Sequence, residues 1–155
     1  FPKADIQSCV VHKVRNSIKN IRKKDISAFT TDLKAVYESP RLDVAKMALD
    51  DLVMKWGKIY PRVVDSWIKS DHLFTYFNYP ESIRKAIYTT NWIERFNKEV
   101  RRVTKTKDSF PNEEACEKLI YFKVTAYNST WASKKLRGFL TAYDDLQEMF
   151  QQRYS

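Results

Sequence analysis

The sequence predicts a mainly α fold, a helical bundle with room for one short N-terminal strand, and three observations carry that expectation. The 155 residues include two glycines and five prolines, few for the many tight turns of a β-rich chain. Apolar residues recur at i, i+3 and i+4 along most of the chain, the period of helices with one buried face. Hydrophobic residues make up 43% and aromatics 14%. A chain of this length buries about two-thirds of the surface its unfolded form exposes, so a real core is available.

The totals also bound the function. A net charge of +9 and a pI near 9.5 point to a polyanionic partner, with nucleic acid first. The competing explanation, charge for solubility alone, weakens because the basic residues are clustered. Cys9 and Cys116 are too few and too far apart for a disulfide framework, which fits a reducing cytoplasm. No apolar run reaches membrane-spanning length, and no signal peptide is visible.

Taken in order, Phe1 to Val11 reads as a short strand ending near Cys9 and passing into a helix at His12. Lys13 to Lys24 carries six basic residues (Lys13, Arg15, Lys19, Arg22, Lys23, Lys24) and no acid. Val14, Ile18 and Ile21 give this stretch a helical apolar stripe and leave the charges outward, a face that suits phosphates or plain water. Asp25 or Ser27 can cap the next helix, which carries Phe29, Leu33, Val36 and Tyr37, and Ser39-Pro40 ends it. A long helix follows from about Leu42 to Tyr60, with Ala45, Leu49, Leu52, Val53, Trp56 and Tyr60 inward. Pro61, tolerated in a first helical turn, opens another through Val64, Trp67 and Ile68. Phe74, Tyr76, Phe77 and Tyr79 form an aromatic cluster closed by Pro80. Beyond a polar linker, Thr104 to Asn112, a helix from Glu113 to Tyr127 is expected to carry Ala115, Leu119, Phe122, Val124 and Ala126. After a turn at Trp131 to Lys135, a last helix from Leu136 to about Tyr154 would face Phe139, Leu140, Tyr143, Leu146, Met149 and Phe150 inward. These two are expected to pair as a hairpin against the helix that precedes them.

That preceding stretch, Tyr88 to Lys107, YTTNWIERFNKEVRRVTKTK, is what the rest is arranged to present. Thr89, Thr90 and Asn91 are acceptable N-caps. Trp92, Ile93, Phe96, Val100 and Val103 make one apolar stripe. Glu94 lies about 200° around the helix from Phe96, away from that stripe. From Asn91 to Lys107 there are six basic residues (Arg95, Lys98, Arg101, Arg102, Lys105, Lys107) against two acidic ones (Glu94, Glu99). One carboxylate at a helix start followed by a basic ramp suits a group that holds a cation while phosphates pass beside it. The plainer alternative is a capping box, Asn91 with Glu94 three residues on, or an ordinary Glu–Lys surface pair.

Two blocks carry a family resemblance. YTTNWIERFNKEVRRVTK, with SFP at Ser109 to Pro111, resembles the third catalytic block of the bacterial insertion-sequence transposases related to maize Mutator. There a Thr-Asn-x-x-Glu segment supplies the last acid of an Asp-Asp-Glu triad, and Thr90, Asn91 and Glu94 match it. The opening, FPKADIQSCVVHKVRNS, resembles a second family block with a Cys-x-x-His pair, here Cys9 and His12, followed by Arg15 and Asn16. The resemblance covers nearly the whole chain. It implies a ribonuclease-H-like catalytic domain whose two Asp residues and DNA-end-binding region would lie upstream of Phe1. On that reading the chain is the C-terminal part of a transposase, inactive alone. Residues 1–24 would be the last strand and helix of the catalytic core, 25–87 an all-helical insertion, and 88–155 the Glu-bearing helix with the C-terminal hairpin.

The chemistry implied is metal-dependent DNA strand cleavage and strand transfer at insertion-sequence ends. Mg²⁺ or Mn²⁺ would be held by the two Asp residues and Glu94 in the intact enzyme, with no ordered metal expected in this chain alone. Arg95, Lys98, Arg101, Arg102 and Lys105, with Lys13 and Arg15, would contact phosphates of the terminal repeats and target DNA. Cys9, His12, Asn16, Thr90 and Asn91 would act as signature and support residues. Self-association of the intact transposase and a bacterial cytoplasmic location, without a membrane partner, go with this. Cys9 and His12 could be half a zinc site, but Cys116 and His72 lack paired spacing to complete it, and a structural brace is preferred. Asp50 and Asp51 point about 100° apart on a helix, a poor metal pair. Trp56 and Trp67 sit where some cut-and-paste relatives stack a Trp on a flipped base, although their periodic placement argues for core. A non-catalytic helical DNA-binding or dimerisation module is the alternative.

Overall fold

Over most of the stretches where apolar residues recur at helical spacing, the chain is helical. The structure, a computed structural model, describes residues 2–107, 109–134 and 136–155. Phe1, Asp108 and Lys135, which belong to the expected strand, the polar linker and the turn before the last helix, lie outside the described residues. Among the described residues there are eight α-helices and no strand. They are α1 (Val10–Ile18), α2 (Ile26–Tyr37), α3 (Leu42–Trp56), α4 (Pro61–Ile68), α5 (Glu81–Ile87), α6 (Asn91–Thr104), α7 (Glu113–Trp131) and α8 (Tyr143–Tyr154), with a 3₁₀ turn at Thr75–Asn78. The chain divides into two units, one running up to Thr89 and resuming at Arg137, the other from Thr90 to Leu136.

The expected N-terminal strand is not formed. Cys9 itself is extended, but the residues leading to it find connecting segments rather than a sheet. The Ser8 N–H bonds the His72 carbonyl at 3.0 Å and the Val10 N–H the Tyr88 carbonyl at 3.0 Å. The Gln7 side chain donates to the Leu73 carbonyl at 2.9 Å and accepts the Tyr76 N–H at 2.7 Å. Backbone groups that must be paired when buried are satisfied here without a ladder.

The first unit has the core. Phe29, Leu33 and Val36 of α2 face Ala45, Leu52 and Trp56 of α3, and Val63, Val64 and Trp67 of α4 join them. Phe29 meets Trp56 and Tyr60 edge-on at 5.4 and 6.1 Å. Trp56 and Trp67, 5% and 1% exposed, are both core residues, and each indole N–H is satisfied inside, as buried Trp requires. Trp56 donates to Asp32 at 2.7 Å and Trp67 to the Ser17 hydroxyl at 2.8 Å. Asp25 is the N-cap residue of α2, but it makes no side-chain cap bond. Its carboxylate instead accepts the Tyr60 hydroxyl at 2.6 Å. The long third helix stops at Trp56, four residues short of the expected Tyr60, with Gly57 as its C-cap.

Asp32 also carries a pH dependence. Burial raises its pKa, but the Lys55 ammonium at 2.7 Å and the Trp56 N–H outweigh this and hold it below the ordinary 3.8. A depressed carboxylate contributes stability above its unfolded pKa and loses it as pH falls through the folded one. Denaturant midpoints of the wild type and Asp32→Asn should therefore differ at neutral pH, and the gap should begin to close near pH 3.8 and shrink further as pH falls through the lower folded pKa. A constant gap across that range would remove Asp32 as the cause.

The last helix is shorter than its periodicity predicts. Gly138 sits at φ +80°, and a Cβ there would lie 1.9 Å from the Ser82 carbonyl oxygen. That left-handed turn, which glycine tolerates, breaks the segment, and α8 starts at Tyr143. Phe139, Leu140, Tyr143 and Phe150 are exposed rather than inward, while Leu146 and Met149 are half-buried. Polar bonds hold α8 within the first unit. Arg153 reaches Asp5 at 2.9 Å, Tyr79 donates to the same carboxylate at 2.8 Å, and the Lys3 ammonium donates to the Arg153 carbonyl at 2.7 Å.

Candidate functional site

The second unit is α6 packed on α7. Thr90 is the N-cap of α6 and Asn91 its first helical residue, so the Asn91–Glu94 capping box is one position out of register. Thr90 instead handles Glu94 directly. The Glu94 N–H bonds the Thr90 carbonyl at 2.9 Å, and the Thr90 hydroxyl donates to Glu94 Oε1 at 2.9 Å. A carboxylate in the first turn is favoured by the helix dipole, and here a hydroxyl also orients it. Glu94 is half-buried.

Aromatic contacts fasten the two helices. Trp92 meets Trp131 at 4.6 Å and Phe96 meets Tyr127 at 5.1 Å, both edge-on. Glu99 joins them electrostatically, reaching Lys123 of α7 at 3.1 Å and Arg102 at 3.2 Å. The Lys123 ammonium, helped by Arg102 and Arg95 against some desolvation, holds the Glu99 carboxyl below its ordinary value. Lys123, Tyr127 and Trp131 are missing from the sequence reading of the site. The signal was the i, i+4 spacing of Tyr127 and Trp131, hidden because that helix was expected to end at Tyr127. Phe122, expected inward, is 68% exposed.

The cations of α6 share one side of the helix. Arg95, Lys98, Arg101, Arg102 and Lys105 line a shallow groove with Glu99. Arg102 is engaged by Glu99, and Arg95 lies 5.5 Å over the Trp131 ring. Lys98, Arg101 and Lys105 are exposed and form no ion pair among the described residues. Lys13, Arg15 and Asn16 lie on α1 of the first unit, with His12 exposed on the same helix and Cys9 at its N-cap. Among the described residues no three His, Cys, Asp or Glu side chains gather to hold a metal ion. Glu94 is one carboxylate where Mg²⁺ takes about six oxygen ligands, so these residues do not complete a divalent-metal site.

In physical terms the fold and this face define a basic, all-helical protein with a hydroxyl-held carboxylate at the head of a cationic helix. Residues 1–134 match the family model described as "Transposase, Mutator family", and the chain belongs to that family. It is 33% identical over 150 residues to the transposase for insertion sequence element IS905 of Lactococcus lactis, covering 97% of this chain and 38% of that protein. The transposase for ISRM3 of Rhizobium meliloti is 31% identical over 156 residues, covering 99% of this chain and 39% of the relative. The transposase for IS256 in transposon Tn4001 of Staphylococcus aureus is 28% identical over 147 residues, covering 90% and 37%. The chain thus spans less than two-fifths of the length of these curated relatives. Among the described residues no helix is long and apolar enough to cross a membrane.

Proposed function

We propose that this chain supplies Glu94 as the third acid of an Asp-Asp-Glu transposase and lays the α6 cations along DNA, in an enzyme that cleaves and transfers strands at insertion-sequence ends. The observation that carries this reading is the Thr90–Glu94 pair at the head of the basic helix, in the family's Thr-Asn-x-x-Glu pattern. The two Asp residues belong to the rest of the intact transposase, and Glu94's part is that of a hard oxygen donor held in orientation by Thr90. Such a donor set takes Mg²⁺ or Mn²⁺. Residues 1–24 and 88–155 then belong to a ribonuclease-H-like catalytic domain, and 25–87 to a helical insertion between its acids. Self-association of the intact transposase goes with the same reading, and the exposed Phe139 and Leu140 offer apolar surface for it. A non-catalytic DNA-binding module would share the charge but leave the Thr90–Glu94 arrangement without a purpose.

The DNA face is tested by converting Lys98, Arg101 and Lys105 together to Gln. All three are exposed, so the fold should persist. Phosphate contacts release counterions, each steepening the fall of affinity with salt by about 0.9 in log–log slope. The triple variant should bind duplex DNA more weakly whatever its sequence, with the slope reduced by about 2 to 3. An unchanged slope in a fluorescence-anisotropy titration would remove α6 from the DNA interface.

A further inference from the structure

We propose that the groove between α1 and α4 in the first unit seats the sugar-phosphate backbone of DNA, as a second contact besides the α6 face. The inference rests on DNA being the partner, as proposed above. Lys13, Asn16 and Asn20 recur at i, i+3 and i+7 along α1 and the turn after it, and so lie on one side. Arg62 and Ser66, one turn apart on α4, form the opposite wall of a groove of about 590 Å³. That lies within the range of small-molecule and cofactor sites, about 300–1,000 Å³.

The chemistry of the lining points to an anion. Among the described residues no acidic side chain lines the groove, and Lys13 and Arg62 give it two positive charges. Asp65, next to the lining residue Ser66 in sequence, pairs with Lys69 at 3.5 Å, and Asp25 accepts the hydroxyl of Tyr60, itself a lining residue. The floor is polar but satisfied, since the Ser17 hydroxyl accepts from Trp67 and donates to the Lys13 carbonyl at 2.8 Å. Lys13 is half-buried, and its ammonium donates to the Ser66 carbonyl at 2.6 Å. An ammonium has three donors, and burial already lowers this one's pKa, a cost that a nearby phosphate offsets. Arg62 is exposed, with no ion pair among the described residues. The exposed amides of Asn16 and Asn20 add hydrogen-bonding groups. Lys19, Lys23 and Lys24, also exposed, carry the positive surface onward, which suits a continuing strand better than a single free phosphate.

The test uses the whole 155-residue chain, ¹⁵N-labelled, titrated with a duplex of about 20 base pairs and separately with inorganic phosphate. The side-chain signals of Asn16, Asn20 and Arg62 should shift with duplex at concentrations where phosphate has no effect. Arg62→Gln, at an exposed position that should not disturb folding, should lower the salt slope of duplex binding by about 1. It should do so equally in the wild type and in the α6 triple variant. Movement of α6 signals alone, with an unchanged slope for Arg62→Gln, overturns this inference and leaves the proposed function standing. Movement of the groove signals alone upholds the groove and removes α6 from the interface. Equal shifts with phosphate overturn the DNA assignment in favour of a free-anion site. No shift with duplex anywhere overturns both.

Discussion

Glu94→Gln, in a transposase carrying this sequence together with its two catalytic Asp residues, is expected to lower Mg²⁺-dependent cleavage at its element's ends by at least about 100-fold. Groups that merely support a metal ligand are worth about 10–100-fold, and a direct ligand should be worth no less. The substitution is nearly isosteric. Gln keeps an Oε1 that can accept the Thr90 hydroxyl, and it leaves the Glu99–Lys123 pair untouched. What disappears is the negative oxygen that a hard cation requires. DNA binding and thermal unfolding should therefore stay close to wild type while cleavage falls. Thr90→Val is the companion variant: the carboxylate remains but loses the hydroxyl that donates to it at 2.9 Å, so a drop of about 10-fold is expected. Cleavage unchanged in Glu94→Gln would reduce the residue to part of a helix start and end the catalytic assignment.

Trp67→Ala should strongly destabilise the first unit. The side chain is 1% exposed and its indole N–H bonds Ser17. Truncating a buried Trp costs about 3–5 kcal/mol, against total stabilities of about 5–15 kcal/mol for ordinary domains. Trp67→Phe fills most of the space but removes the N–H, and should cost about 1–3 kcal/mol. Urea denaturation followed by far-UV circular dichroism would measure both. A Trp67→Ala protein as stable as wild type would show that the indole is not core, and would reopen its role as a base-stacking residue.

Much of this architecture was legible because helical periodicity is local. The stripes at Phe29, Leu33 and Val36 and at Leu52 and Trp56 announce their helices, and Pro61 marks a helix start. The failures share a cause. Cys9 and its neighbours have strand-like residues, but a strand exists only where a partner strand offers a ladder. The inward face assigned to Phe139 and Leu140 assumed an unbroken helix, and the close approach of Gly138 to Ser82 prevents it. Asp25 is a good cap by type, but the Tyr60 hydroxyl, 35 residues away in sequence, takes its carboxylate.

The candidate site divides in the same way. The basic ramp from Arg95 to Lys105 and its opening Glu94 could be read from spacing and from the resemblance of the Thr90-Asn91-x-x-Glu94 pattern. The partner of that carboxylate could not, because an N-cap hydroxyl can face several groups and only folded geometry selects one. Nor could the Glu99–Lys123 bridge or the Trp92–Trp131 contact, which join residues more than 20 positions apart.

The sequence by itself determined that this is a basic, mainly helical chain, because composition and periodicity are properties of the linear chain, and the resemblance of its motifs to the Mutator transposases pointed to the family. Tertiary structure alone decided that Trp56 and Trp67 are core, that Thr90 orients Glu94, and that Lys13 and Arg62 face one groove. Burial and pairing depend on which distant segments meet, and no local pattern encodes that.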